Sequence, residues 1–210
     1  MKMNKKKSFT LVEIMVSFSI LIVALTGIFL VLDFGESSSP LDLARVDVTT
    51  KARIIINRIA NDLRGAYLQD IKDNAPSCSH IKFRKVQGVK TDTAGHYYNL
   101  SRNLNLGGVE YSDCSDYLEY SYDSDADKLT RLSQVINNEN GDILSESTVE
   151  YKNISEGVFY VLNSGGSQVC LNEADLDNFI IVAIGVEEQG AATNLVSSSL
   201  TQRVKIRNDY

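Results

Sequence analysis

A carboxylate stands at the head of the longest apolar run in this 210-residue chain: Glu13 precedes Ile14 to Leu32, 19 residues without a charge. An ionised carboxylate held deep and unpaired in an apolar medium costs roughly 2.5 kcal/mol or more. Glu13 therefore either lies shallow enough to reach water or meets a partner of opposite charge. Its chemistry is charge pairing. A second set of carboxylates, Asp123, Asp125 and Asp127, recurs at alternate positions in DSDADK. That spacing resembles the start of a calcium loop. The sixth position should be Gly and is Lys128, and the twelfth should be Glu and is Gln134, so the EF-hand template fails. A solvated hairpin turn is the preferred reading, with calcium kept as the alternative. Cys78, Cys114 and Cys170 allow three single disulfides, and spacing does not choose among them. Cys78 with Cys114 is favoured because both lie in the polar middle of the chain; the alternative is that all stay reduced and buried. There is no C-x-x-C, H-E-x-x-H, G-x-S-x-G or P-loop, and His80 and His96 are the only histidines. No enzyme is expected, and no cofactor.

Elements must position these residues. The first eight, MKMNKKKS, hold four Lys and no acid, while Asp33 and Glu36 follow the apolar run. At 1.5 Å per residue, 19 helical residues span about 28 Å, close to the thickness of a bilayer core. A secretory signal would carry a shorter apolar region and a small-residue cleavage site. The basic flank puts the N-terminus in the cytoplasm and the bulk of the chain on the other side of the membrane. With 43 % hydrophobic and 23 % charged residues the chain is neither disordered nor collagen-like. Its net charge of −6 argues against a nucleic-acid partner. Arg45, Lys51, Arg53, Arg58 and Arg64 are interleaved with acids and read as a solvated face or a subunit contact.

The stretch KKKSFTLVEIMVSFSILIVAL combines the basic leader, a Phe, a Glu five residues into the following segment and the long apolar helix. It resembles the N-terminal signature of type IV pilins and type II secretion pseudopilins. The resemblance covers about the first 30 residues. It implies cleavage between Ser8 and Phe9 by a prepilin peptidase and methylation of the new Phe9 amine. It also implies assembly with other pilins or pseudopilins through an inner-membrane platform, Glu13 pairing with the amine of a neighbouring subunit. Ser8 stands where the family usually has Gly. Loss of the leader would take the net charge from −6 to −10, because all four of its charges are lysines.

GESSSP, residues 35–40, is the next change of composition. Ser39 suits an N-cap and Pro40 a first helical position, so a helix is expected from about residue 41 to Ile71. Residues 35–40 either kink one long helix or separate two. Ile55, Ile59, Leu63, Ala66 and Tyr67 form one apolar stripe, and Arg53, Asn57, Asp62 and Arg64 fall off it. Beyond Asp73 the period becomes that of strands: HIKFRKV, YLEYSYD, LTRL, TVEYK, GVFYVLN, NFIIVAIGVEE and QRVKIRN, bounded by turn residues. LGGV and NSGGS read as turns. The expected fold class is α+β: leader 1–8, membrane and assembly helix 9–34, a break or kink at 35–40, and a periplasmic head at 41–210 with an antiparallel sheet on the stripe. DLRGAYL, LEYSYDSDADKLTRL and RVKIRN resemble, over short stretches, W-type minor pilins and J-type minor pseudopilins. That resemblance implies a minor filament subunit. The rival reading is an uncleaved anchor carrying a binding module.

Overall fold

The computed structural model describes residues 10–67, 70–71, 76–92, 95–162, 166–171, 179–189 and 195–206, with side chains left aside at 36–41 and 89–98. One helix dominates it. Helix α1 runs from Leu11 to Arg64, 54 residues, or about 81 Å at the helical rise. Residues 35–40 lie within it, so the alternative of a single long helix holds. Ser39 is not a cap and Pro40 is an interior residue. A proline costs a helix one hydrogen bond but does not by itself end it. The helix stops at Arg64, short of the expected Ile71. The reason is a tertiary contact: Ala66 forms an antiparallel bridge with Lys85, and the Gly65 carbonyl accepts the Val86 N–H at 2.7 Å. The chain is thus taken over by a strand partner two residues past the last helical turn.

Eleven strands follow among the described residues: β1 (His80–Arg84), β2 (Gly88–Asp92), β3 (Gly95–Asn99), β4 (Arg102–Leu106), β5 (Val109–Asp123), β6 (Lys128–Asn137), β7 (Ile143–Lys152), β8 (Ile154–Leu162), β9 (Gln168–Cys170), β10 (Phe179–Gln189) and β11 (Leu195–Lys205). They form two main antiparallel sheets rather than one. The first has the order β1-β5-β6-β7, with β4 also pairing β5; the second has the order β11-β10-β8-β9. Strands β2 and β3 form a separate hairpin. The β4–β5 turn is Gly107–Gly108, both at positive φ (60° and 89°), between paired Leu106 and Val109. Two consecutive positive φ values are what a two-residue hairpin of the right twist needs, and glycine supplies them without strain.

The core gathers one face of α1 and the inner faces of both sheets. Val48, Ala52, Ile55, Ile59 and Leu63 from the helix are buried with Ile81, Phe83, Leu118, Tyr120 and Leu129 from the first sheet and Phe159, Ile180, Val182 and Ile184 from the second. The alternation in HIKFR holds, with Ile81 and Phe83 fully buried. In β6 the parity is instead Leu129 and Arg131; Leu132 and Val135 are only partly covered. A charged residue thus occupies an inward position, and the reason lies in the next section.

Candidate functional site

Thr10 is the N-cap of α1, and Glu13 closes a capping box with it. The Glu13 amide donates to Thr10 Oγ1 at 3.3 Å, and Glu13 Oε2 accepts the Thr10 amide at 2.9 Å. The first N–H groups of a helix have no partner inside it, and a carboxylate there also meets the positive end of the helix dipole. Glu13 is therefore held by its own helix start and remains exposed. Ser8 and Phe9 lie outside the described residues.

Leu11 to Gly35 is a 25-residue stretch long and apolar enough to cross a membrane, with none of it covered by the rest of the chain. Exposed side chains lie on every side: Leu11, Phe18, Leu21, Val23, Phe29 and Val31 are all at least half exposed. Its hydroxyl side chains are satisfied locally. Ser17 Oγ donates to the Glu13 carbonyl at 2.7 Å, Ser19 Oγ to Met15 at 2.9 Å and Thr26 Oγ1 to Ile22 at 2.8 Å. An apolar solvent tolerates a helix on this condition, because it offers no hydrogen bonds of its own.

The other end of α1 is anchored by a buried ionic cluster. Asp62 has a side chain 6 % exposed. It accepts the Tyr120 hydroxyl at 2.7 Å and Arg131 Nε at 2.9 Å on Oδ2, while Lys85 Nζ stands 3.2 Å from Oδ1. Burial by itself would raise the Asp62 pKa. Hydrogen bonds from Tyr120 and Arg131, with the charges of Lys85 and Arg131, outweigh it and hold the carboxyl below its ordinary range. Burial, reinforced by Asp62, pushes the Tyr120 phenol up. This cluster was missed in the sequence because Asp62 falls just off the stripe. The available signal was Arg131, which takes an inward parity in β6. Further ties join α1 to the second sheet, Lys51 to Glu188 and Thr49 to Ser198.

The disulfide joins Cys78 to Cys170, 92 residues apart, and Cys114 is free and buried. The expected Cys78–Cys114 pair is thereby corrected. The Cys78 carbonyl accepts the Phe159 amide on β8 at 2.7 Å, and Cys170 on β9 is registered against Tyr160 on the same strand. Cys78 and Cys170 therefore meet at β8. Cys114 lies on β5 opposite Asn137, with its thiol pushed up by burial. Asp123, Asp125 and Asp127 sit at the β5–β6 turn. Asp123 Oδ1 accepts the amides of Asp125 and Ala126, an Asx turn. No group of three or more His, Cys, Asp or Glu with metal-binding geometry occurs among the described residues. His80 Nε2 lies 3.0 Å from Glu119, and the His96 side chain is outside the description.

A family model described as the prokaryotic N-terminal methylation motif matches residues 3–29. Neither a curated protein nor a solved structure matches the chain significantly. The match spans most of the basic N-terminal residues, Thr10, Glu13 and most of the uncovered apolar helix. The chain thus carries a type IV pilin- and pseudopilin-like prepilin signature, set on a membrane-capable helix that continues into an α+β head.

Proposed function

We propose that this protein is a structural subunit, a minor pilin of a type IV pilus. One observation carries the reading: residues 11–29 of the matched methylation motif lie on an unbroken 54-residue helix whose first half is apolar over most of its surface and uncovered. A helix of that kind rests in lipid or among other such helices. In this reading prepilin peptidase cuts between Ser8 and Phe9 on the cytoplasmic side and methylates the Phe9 amine, which stays cationic. The subunit then leaves the inner membrane for a filament through the assembly platform. Moving Glu13 from the bilayer interface into an apolar filament core is tolerable only if the carboxylate meets a cation. The neighbouring subunit's Phe9 amine is that cation. The head gives the subunit its place in the filament.

The test is the N-terminus and intact mass of the protein from native membranes. A chain beginning at methylated Phe9 is expected. A chain that keeps Met1 to Ser8, in cells that process their other prepilins, would make the protein an anchored binding module instead. Deletion of the gene separates the machines. Loss of surface pili is expected, whereas a pseudopilus subunit would stop protein secretion and leave pili intact.

A further inference from the structure

The connection between β6 and β7, residues 138–142, holds the only Asn-Gly pair in the chain, Asn140 and Gly141. Asn-Gly is a turn signal, because glycine takes a positive φ without strain. Gly141 has φ 79°, and a Cβ built on it would meet nothing within 4 Å. Residues 138–142 and Ile143 after them are all exposed. The same pair carries a latent reaction. An asparagine side-chain amide and the next main-chain nitrogen can close a five-membered ring. A Cβ on the second residue crowds that closure, and glycine has none. The groups around Asn140 favour it further. The Asp142 amide donates to Asn140 Oδ1 at 3.0 Å, and Asn140 Nδ2 donates to Asp142 Oδ2 at 2.6 Å. The pair of bonds folds the Asn140 side chain back over its own main chain. The first of them lies on the oxygen that gains negative charge when the amide carbon is attacked. The Gly141 N–H donates to the Asn137 carbonyl at 2.8 Å, so the attacking nitrogen is released when the turn opens. An exposed turn that buries none of its side chains opens at low cost.

We propose that Asn140 is a site of spontaneous covalent modification, which passes through a cyclic imide to aspartate and isoaspartate. The Gly141 nitrogen attacks Asn140 Cγ. A bond forms between that nitrogen and Cγ, the Cγ–Nδ2 bond breaks, and ammonia leaves, carrying the Gly141 amide proton by way of solvent. Water then opens the imide. Cleavage of the new bond to Cγ gives aspartate in the ordinary linkage. Cleavage of the bond to the Asn140 main-chain carbon gives isoaspartate, with the chain routed through Cγ. Water is the only co-reactant, so the step needs no enzyme and no particular compartment. It is independent of the filament-subunit reading. Either product sets a carboxylate where Nδ2 faced Asp142, so an attraction becomes a like-charge contact. Isoaspartate also adds one atom to the main chain between Asn137 and Asp142. The Asn137 amide donates to the Asp142 carbonyl at 2.9 Å, and this bond closes the end of the β6–β7 ladder. An aged chain thus carries one more negative charge and a loosened start to β7.

The experiment keeps the full-length protein folded in detergent, in warm, mildly alkaline buffer made with oxygen-18 water. Samples taken over days are digested with trypsin. The peptide Leu132 to Lys152 contains Asn137 and Asn138 as internal controls, each followed by a residue with a Cβ. Aspartate and isoaspartate are both expected at position 140, each with one labelled oxygen. Conversion there should be roughly tenfold or more faster than at Asn137 or Asn138, where the following Cβ crowds the attack. Asn140→Gln, which would need a six-membered ring, should remove it, and an unchanged melting temperature shows that this variant is folded. In the converted protein, exchange of the Asn137 amide should rise several-fold. Aspartate alone, without isoaspartate, would rule out the imide. No conversion at Asn140, while a synthetic peptide of the same sequence converts, would show that the turn locks the Gly141 nitrogen and would overturn the proposal. Unchanged exchange at Asn137 in the converted protein would overturn the loosening of β7.

Discussion

The two halves of α1 solve the same problem in opposite ways. Leu11 to Gly35 holds a run, Ile14 to Leu32, with no charge on any side, and nothing in the chain covers it. Val48 to Leu63 is buried on one side only, and that side is enclosed by two sheets. The polar groups follow the same division. In the first half, Ser17, Ser19 and Thr26 bond back to carbonyls four residues earlier on the same helix. In the second, the hydrogen bonds and the nearest ion pair of Asp62 come from residues distant in sequence, Lys85, Tyr120 and Arg131, with Arg58 of the same helix farther off at 3.7 Å. The hydroxyl groups of the first half are therefore satisfied within the helix itself. The second half depends on the head for both its apolar stripe and its buried charge. A substitution in one half should act on packing with neighbours or lipid, and one in the other half on folding of the head.

The largest effect expected is at Asp62. Removing one member of a buried charged cluster leaves the others unpaired and costs about 3–5 kcal/mol. Asp62→Ala should therefore lower the denaturant midpoint of the head sharply while membrane insertion of Leu11 to Gly35 continues. Loss of insertion together with folding would show that the halves are not separable. The same residue gives a pH signature. Its folded carboxyl lies below the ordinary value of 3.8. The stabilisation is thus complete above that value, where the folded and unfolded carboxyls are both ionised. It is lost as pH falls from about 3.8 through the lower folded value. Asp62→Asn should flatten this acid limb of a stability–pH curve.

Next in size is the disulfide. Opening a loop of 92 residues costs about 2–5 kcal/mol. Cys170→Ser should lower head stability by that order, measured by thermal melting, and Cys114→Ser by much less. Equal losses would mean that Cys114 is a packing residue of the same weight as the cross-link. Smaller again is Gly157→Ala. An added Cβ would stand 2.8 Å from Tyr122 Cγ across the gap between the sheets, and such overpacking costs about 1–3 kcal/mol. Tyr122→Ala in the same chain should recover part of the overpacking cost.

Legibility in the sequence follows the same division. The N-terminal half could be read because its signals are local: a basic leader, a carboxylate at a fixed distance and an uninterrupted apolar run. The α+β character and seven of the strands were legible through period and turn residues. What was missed depends on long-range geometry. Arg131 turns inward because of a carboxylate 69 residues earlier. Cys78 finds Cys170 because β8 brings them together. Helix α1 passes Pro40 and then ends at Arg64 because Ala66 is captured by Lys85. The strands β2, β3, β4 and β9 carry polar, short segments such as RNLNL and QVC, whose pairing is set by their neighbours rather than their own pattern.

The smallest effect tests whether the first half is satisfied within its own helix, as the comparison states. Thr10 and Glu13 satisfy each other's amides, and losing an N-cap hydroxyl costs about 1 kcal/mol of local helix stability. In Thr10→Ala, amide exchange at Leu11 to Ile14 in detergent micelles should rise several-fold, while exchange in Ile55 to Leu63 and the melting of the head remain unchanged. The Glu13 carboxylate loses its hydroxyl donor in that variant but keeps the Thr10 amide, so Glu13→Gln should produce a similar and no larger fraying. A change at Ile55 to Leu63 in either variant would mean that the fold transmits strain along the whole of α1. The helix would then be one cooperative rod rather than two regions joined at residues 35–40.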